Sequence, residues 1–209
     1  MSRSLPIVER FHSLQGEGAH AGRSAFFIRL ASCKVGCAWC DTKTSWSEKS
    51  HPIETILTLA KDVVKAQEDG AAFVVLTGGE PLHHNLEPLC DEIKNQTSIP
   101  IHLETSGVDE LTGSPNWVTL SPKRHAPPRH NLLIACDEIK VVIDSKEDLV
   151  FAEEISLEAI AAKKDYQKPL LFLQPSWKNK TGHDLAIEFV KKNSEWRLSL
   201  QTHKWLGVL

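Results

Sequence analysis

The 209-residue chain has no long block of lysine and arginine, and its formal net charge is −3. The electrostatic footprint of a nucleic-acid binder is missing, so no nucleic-acid partner is expected. No apolar run approaches the ~20 residues of a membrane helix, so no membrane partner is expected either. Residues 1–10 lack the apolar centre of a secretory segment. The cysteine count, five, is odd, and three of the five crowd together. That excludes a disulfide framework and suits a reducing cytoplasm. There is no internal repeat and no low-complexity stretch, and the Pro-rich run at 125–131 is too short to link domains. What remains, 41% hydrophobic and 24% charged, is an ordinary globular composition, and a single domain over 1–209 is expected.

The apolar periodicity alternates between strand and helix. Strands are expected at 5–10, 24–30, 72–76, 100–104, 117–120, 138–143, 170–173 and 196–200. Helices are expected at 53–68, 85–95, 145–154, 157–163 and 183–192, with a Gly-rich loop at 11–22. About a dozen residues separate 100–104 from 117–120, with Gly113 and Pro115 among them, so a crossover helix there is doubtful. Strands that read as buried on both faces imply a parallel sheet with helices outside. The expected fold is α/β, a partial, open TIM-like barrel of about six parallel strands with reduced helices. Polar or Gly-rich segments follow the strands at 33–42, 77–81, 105–107, 121–123 and 174–177. In such sheets these carboxyl ends converge on one site.

The densest of these segments is Cys33-Lys34-Val35-Gly36-Cys37-Ala38-Trp39-Cys40-Asp41-Thr42, a C-x3-C-x2-C pattern. Three thiolates on one short loop can hold three irons of a [4Fe–4S] cluster and leave the fourth open to another ligand. A zinc knuckle, with His51 or a distant histidine as fourth ligand, would use the same thiols. Cys90 falls on the apolar face of a helix and reads as a small core residue; Cys136 reads as a core or surface thiol. Arg29, inside an apolar strand, needs a partner if buried or must reach solvent.

The cysteine pattern after one strand and Thr77-Gly78-Gly79-Glu80-Pro81 after the next together resemble the radical S-adenosylmethionine (SAM) superfamily. The resemblance implies that the amino and carboxylate groups of SAM chelate the open iron. The reduced cluster then breaks a C–S bond and forms a 5′-deoxyadenosyl radical. It also implies that Gly78, Gly79 and Glu80 meet the SAM amino group, while Ser121, Pro122 and Lys123 meet its ribose and carboxylate. Trp39, Cys40, Asp41, Ser106 and Gln174 complete the implied SAM site. For Lys123 a solvated surface position is the alternative, and Trp39 alternatively shields the iron.

A narrower resemblance runs through nearly the whole chain. Ser13-Leu14-Gln15-Gly16-Glu17-Gly18, Arg29, Cys40-Asp41-Thr42, Glu104-Thr105-Ser106-Gly107, Ser121-Pro122-Lys123, Gln174-Pro175 and Leu200-Gln201-Thr202-His203-Lys204 are similar to the 7-carboxy-7-deazaguanine synthases. That family converts 6-carboxy-5,6,7,8-tetrahydropterin to 7-carboxy-7-deazaguanine, releasing ammonia, on the route to queuosine. It uses SAM as a regenerated cofactor and depends on Mg2+. The resemblance implies that Leu14, Gln15, Gly16, Glu17, Arg29, Thr77, His203 and the Leu209 carboxylate bind substrate, with Arg29 forked onto the substrate carboxylate. It implies Thr42 as a Mg2+ ligand, although a capping threonine would look the same. Glu17 and His203 are candidates for proton transfer. A flavodoxin- or ferredoxin-type reductant and a homodimer are further implications. The competing readings are a small glycyl-radical activating enzyme and a non-enzymatic metal-binding or Fe–S redox-sensing module.

Overall fold

The computed structural model describes residues 4–163 and 167–209. The strands are β1 (Ser4–Leu14), β2 (Ser24–Leu30), β3 (Ile53–Thr55), β4 (Phe73–Gly78), β5 (Ile101–Thr105), β6 (Trp117–Leu120), β7 (Glu138–Ile143), β8 (Leu170–Pro175) and β9 (Trp196–Leu198). The helices are α1 (Ile56–Glu68), α2 (Glu87–Gln96), α3 (His130–Ala135), α4 (Lys146–Lys163), α5 (Lys180–Lys192) and α6 (Thr202–Leu206).

The strands form one sheet in the order β3-β1-β2-β4-β5-β6-β7-β8-β9. From β2 to β9 every pairing is parallel, while β1 and β3 add an antiparallel edge. The edge strands β3 and β9 do not pair, so the barrel is open. Seven parallel strands replace the expected six or so, because Trp196–Leu198 pairs in register with β8. No helix joins β5 to β6, in keeping with the short spacing.

Local differences from the sequence reading have clear causes. Phe11–Leu14 is not loop but the continuation of β1, where Phe11 stacks on Phe27 of β2 with centroids 5.0 Å apart. The helix expected from 53 begins at Ile56. Residues 53–55 pair with β1 instead, and the Thr55 hydroxyl caps the helix by accepting from the Thr58 amide. The two helical stretches at 145–154 and 157–163 are one helix, α4. Part of the 125–131 run enters α3.

Helices α1, α2, α4 and α5 bury apolar stripes on the outer face of the sheet, against residues such as Ile28, Leu76, Leu103, Leu120 and Ile139. Cys90 and Cys136 are buried in this layer, and burial pushes the Cys136 thiol up to about 12, so neither is a ready ligand. The inner face differs from the expected apolar lining. Parallel register sets Arg29 beside Thr77, Glu104 beside Thr119, and Thr119 beside Glu138. A row of polar side chains therefore crosses strands whose alternate residues are core. Each row member needs partners inside the barrel, and the residues that supply them build the site.

Candidate active site

The carboxyl ends of the strands surround an open cavity of about 790 Å3. Every residue that the family resemblances placed in the SAM, substrate and Mg2+ sites lines it, except Pro122, which is buried behind the wall. Residues as far apart in sequence as Glu9 and Leu209 thus meet at one place.

The cysteine loop leaves β2 through Ser32, a non-glycine residue at φ 86°. That left-handed backbone is held from both sides. The Ser32 amide donates to the Ser45 carbonyl at 2.8 Å, and its carbonyl accepts from the Glu80 amide at 2.8 Å. Such strain persists where surrounding contacts impose it. Gly79 lies so close that a Cβ there would sit 2.3 Å from the Ser32 carbonyl and 2.8 Å from Cys33 Cβ. Gly79 is therefore required by the close approach of the β4 turn to the cysteine loop, and Gly78 by the β2 backbone, where a Cβ would sit 2.3 Å from the Leu30 carbonyl oxygen. Cys33, Cys37 and Cys40 are free and half-buried. Burial pushes the Cys33 and Cys37 thiols above their ordinary value; for Cys37 the Lys123 charge opposes the rise, and the neighbouring thiols Cys33 and Cys40 add to it.

The donor set suits a cluster better than one metal ion. Among the described residues no three His, Cys, Asp or Glu gather around a single point, whereas a cluster spreads its thiolate ligands over separate irons. His51, the fourth zinc ligand nearest in sequence, is engaged with the Thr44 carbonyl at 2.8 Å, and His125, with Nε2 3.9 Å from Cys37 Sγ, is engaged with the Val35 carbonyl at 3.0 Å.

Glu80 is almost fully buried, and its carboxylate accepts from the Leu82 amide, the Thr105 hydroxyl (2.5 Å), the Ser106 amide (2.8 Å) and the Ser106 hydroxyl. It buckles the β4 and β5 turns together. Lys123 donates to the Ser121 carbonyl and hydroxyl, each at 2.7 Å, and burial lowers its affinity for the proton. Trp39 stands edge-on to His125 at 5.8 Å.

On the other side of the cavity, residues 15–19 dip into the barrel. Gln15 Nε2 donates to Glu104 at 2.9 Å and Thr77 donates to the same carboxylate at 3.1 Å. The Glu17 carboxylate pairs with Lys140 and accepts from Gln201 Nε2 at 2.9 Å. Burial alone would raise Glu17, but the Lys140 charge outweighs it and holds the carboxyl at about 2. Burial disfavours charge on Lys140 too, yet Glu17 and Glu104 keep its proton affinity above the ordinary lysine value. Glu17 is thus an ionised acceptor at neutral pH and Lys140 the group holding the proton. Arg29 has its partner in Glu9, with Nε to carboxylate at 2.7 Å. This single pairing leaves the outer fork of the guanidinium for a ligand carboxylate.

The C-terminal tail closes this side. The Thr202 amide and hydroxyl both donate to the Gly16 carbonyl at 3.0 Å. His203 packs so tightly on Gly16 that a Cβ there would lie 2.0 Å from Nδ1, and burial pushes His203 below its ordinary value. Lys204 reaches Asp41 at 2.5 Å, while Asp41 also accepts from the Thr42 hydroxyl at 3.0 Å. Burial opposes charge on Asp41, but Lys204 and Thr42 leave it below the usual carboxylate range. Because its proton is given to Asp41, the Thr42 oxygen keeps lone pairs for a cation. Ser13 donates to the Leu209 carbonyl at 2.8 Å. Gln174 accepts from Ser199 at 2.8 Å.

Sequence reasoning missed Glu9 and Lys140, and it gave Glu104, Ser176 and Trp177 no individual role although the first lay in a family motif and the other two in a segment expected at the site; all five line the cavity. Glu138 and Lys140 carried a signal, since two charges at i and i+2 in an apolar strand share one face.

Three cysteines in C-x3-C-x2-C at the mouth of an open parallel barrel, braced by a Gly-Gly-Glu-Pro turn, define the radical SAM class of enzyme. The model described as "Radical SAM superfamily" matches residues 28–121. A protein of Prochlorococcus marinus called 7-carboxy-7-deazaguanine synthase is 60% identical, with 100% of each chain covered. One of the same name from Escherichia coli is 36% identical over 97% of this chain and 98% of its own. The crystal structure of QueE from Escherichia coli aligns with a TM-score of 0.78 at 35% identity, covering 94% of this chain and 93% of that one. The chain belongs to the 7-carboxy-7-deazaguanine synthase family.

Proposed function

We propose that this chain converts 6-carboxy-5,6,7,8-tetrahydropterin to 7-carboxy-7-deazaguanine with release of ammonia, acting as one catalytic unit over its whole length. The observation that carries the reading is the meeting, in one cavity, of the cysteine loop with Arg29 and the Gln15–Glu104–Thr77 group. The names of the full-length relatives support it.

Cys33, Cys37 and Cys40 hold the cluster, and the turns at Gly78–Gly79, Ser106, Ser121–Lys123 and Gln174 hold SAM. Bound there, the pair supplies a radical that takes hydrogen from a C–H bond. The protein's own task is to bind, orient and exclude water. Arg29 holds the substrate carboxylate, with Glu9 fixing its Nε. Gln15 and Thr77, oriented by Glu104, read the guanine-like edge. Glu17 accepts hydrogen bonds from ring N–H groups, while the Lys140 charge beside it keeps it ionised. Thr42 gives its oxygen to Mg2+. Water and substrate oxygens would supply the ion's remaining ligands. An external flavodoxin- or ferredoxin-type reductant, a homodimer and a cytoplasmic location complete the proposal. No helix among the described residues is long and apolar enough to cross a membrane.

The glycyl-radical activase reading requires a protein segment to enter the cavity. The docking of the tail on Gly16 and Asp41 favours a small substrate instead. Incubation of the anaerobically reconstituted, reduced chain with carboxytetrahydropterin, SAM and Mg2+ should release the deazapurine and ammonia, with each SAM serving many turnovers. Absence of deazapurine under these conditions overturns the assignment.

A further inference from the structure

Two histidines outside the cysteine motif grip its backbone. His83 follows the Gly-Gly-Glu-Pro turn, and its Nε2 accepts from the Lys34 amide at 3.1 Å. Its other nitrogen, Nδ1, bonds the Asp109 carboxylate. A carboxylate accepts and an amide N–H donates, so the tautomer is fixed with the proton on Nδ1. His125 follows Ser121-Pro122-Lys123, and its Nε2 donates to the Val35 carbonyl at 3.0 Å. The same nitrogen lies 3.9 Å from Cys37 Sγ. The segments expected to bind SAM thus also hold the loop that carries the thiolates.

The grip has a geometric consequence. In a trans peptide the C=O and the following N–H point in opposite directions. Turning the Val35 carbonyl outward onto His125 therefore turns the Gly36 amide inward. The backbone of Val35 and Gly36 acts on Cys33 in the matching sense, favouring its thiolate against the effect of burial. Gly36 takes φ 73° at this turn. Amide hydrogen bonds to a ligand thiolate favour the reduced, more negative state of a cluster, and so raise its reduction potential.

We propose that His125 and His83 are positioning residues that aim the Val35 and Gly36 amides at Cys33 and thereby set the reduction potential of the cluster. The inference rests on the radical SAM reading of the cysteine loop. It adds that electron entry is tuned from the two SAM-side turns, through backbone rather than through a ligand.

The test compares His125→Phe, His83→Phe and His125→Gln with the parent chain. Glutamine keeps a donor near the position of Nε2, and phenylalanine keeps only bulk. EPR-monitored redox titration of the reconstituted protein should give a lower midpoint potential for both phenylalanine variants, with most of the shift restored in His125→Gln. Hydrogen exchange on the cluster-free chain should show the amides of residues 34–36 exchanging at least tenfold faster in the phenylalanine variants, at unchanged circular dichroism. Exchange rates equal to the parent overturn the proposal, as does an unchanged potential with a full complement of iron. If the parent chain itself assembles no four-iron cluster, the radical SAM reading fails, and the exchange measurement still decides the grip.

Discussion

Lys140 and Glu17 form an ion pair inside the barrel, with side-chain exposures of 6% and 16%. One lies on β7 and the other on the loop after β1, so the pair ties the loop that faces the substrate to the sheet. Lys140→Met leaves an unpaired buried carboxylate. Loss of one partner of a buried pair costs roughly 3–5 kcal/mol, and chemical denaturation should show it. Lys140→Met combined with Glu17→Gln should recover much of the stability but not the activity. The pair also gives stability a pH dependence. Glu17 in the fold stays ionised down to about pH 2, below its ordinary 4.5. Its contribution is therefore fully present above 4.5 and lost as pH falls toward 2. The raised affinity of Lys140 acts at the alkaline end, where its contribution fades only above the ordinary lysine range.

Arg29 and Glu9 offer a cleaner test of substrate recognition. Arg29→Lys removes the planar fork but keeps the charge, so KM for the carboxylated pterin should rise by about tenfold or more, with kcat less affected. Glu9→Gln frees the Nε end of the guanidinium and should raise KM by a smaller factor. An unchanged KM for Arg29→Lys would place the substrate carboxylate elsewhere.

Gly79→Ala should separate folding from cluster retention. The added methyl meets backbone, the Ser32 carbonyl, and the Cβ of Cys33, neither of which is the flexible end of a side chain. Overpacking of this kind costs roughly 1–3 kcal/mol, within the tolerance of a chain with so large an apolar layer. The circular dichroism should be retained while iron bound per chain falls. A fully loaded variant would show that the β4 turn and the cysteine loop need not touch.

Much of this site was legible in the sequence because its residues follow strands. Hydrophobic strands are recognised by composition, and in a parallel sheet their carboxyl ends share one edge, so Cys33, Gly78, Ser106, Ser121 and Gln174 had to converge. The inner face was not legible in the same way. Glu104 and Lys140 sit inside strands; spacing puts Lys140 on one face with Glu138, but which residues these charges meet depends on register, which sequence spacing alone leaves open. The histidines that hold the cysteine loop show the same limit. His83 and His125 stand 49 and 90 positions from their backbone partners Lys34 and Val35, and a contact to main chain leaves no pattern in side-chain types. The length of β1 was missed because Phe11 alternates with polar neighbours at a sheet edge, where a strand and a loop look alike.

Lys204 and Asp41 join the tail to the cysteine loop at 2.5 Å. Lys204→Met should let the Asp41 carboxyl rise toward its ordinary value, since Lys204 is the main opponent of its burial. It should also free the tail from one of its anchors. Limited proteolysis ought to cut after 200 faster, and KM ought to rise. Substrate binding would then slow the cutting back toward the parent rate. Equal cutting rates with and without Lys204 would mean that Thr202 on Gly16 suffices to seat the tail.

At the opposite end of the barrel, His102 stacks on Phe73 with ring centroids 4.1 Å apart and lies beside His20, Arg23 and Trp117. Burial, followed by the nearby charges of His20 and Arg23, pushes it down to about 3. The unfolded chain protonates this ring near 6.5, whereas the fold keeps it neutral. Between those two values the unfolded state binds the additional proton, so stability is complete above pH 6.5 and declines as pH falls toward 3. His102→Phe keeps an aromatic ring on Phe73 and removes the titration. Its thermal midpoint should therefore fall less steeply than the parent's between pH 6.5 and pH 4.5, a window above the acid range in which Glu17 titrates. Parallel slopes for the two proteins would mean that the ring is protonated in the fold after all, with Asp137, which raises the affinity of the adjoining His20, as the first group to examine.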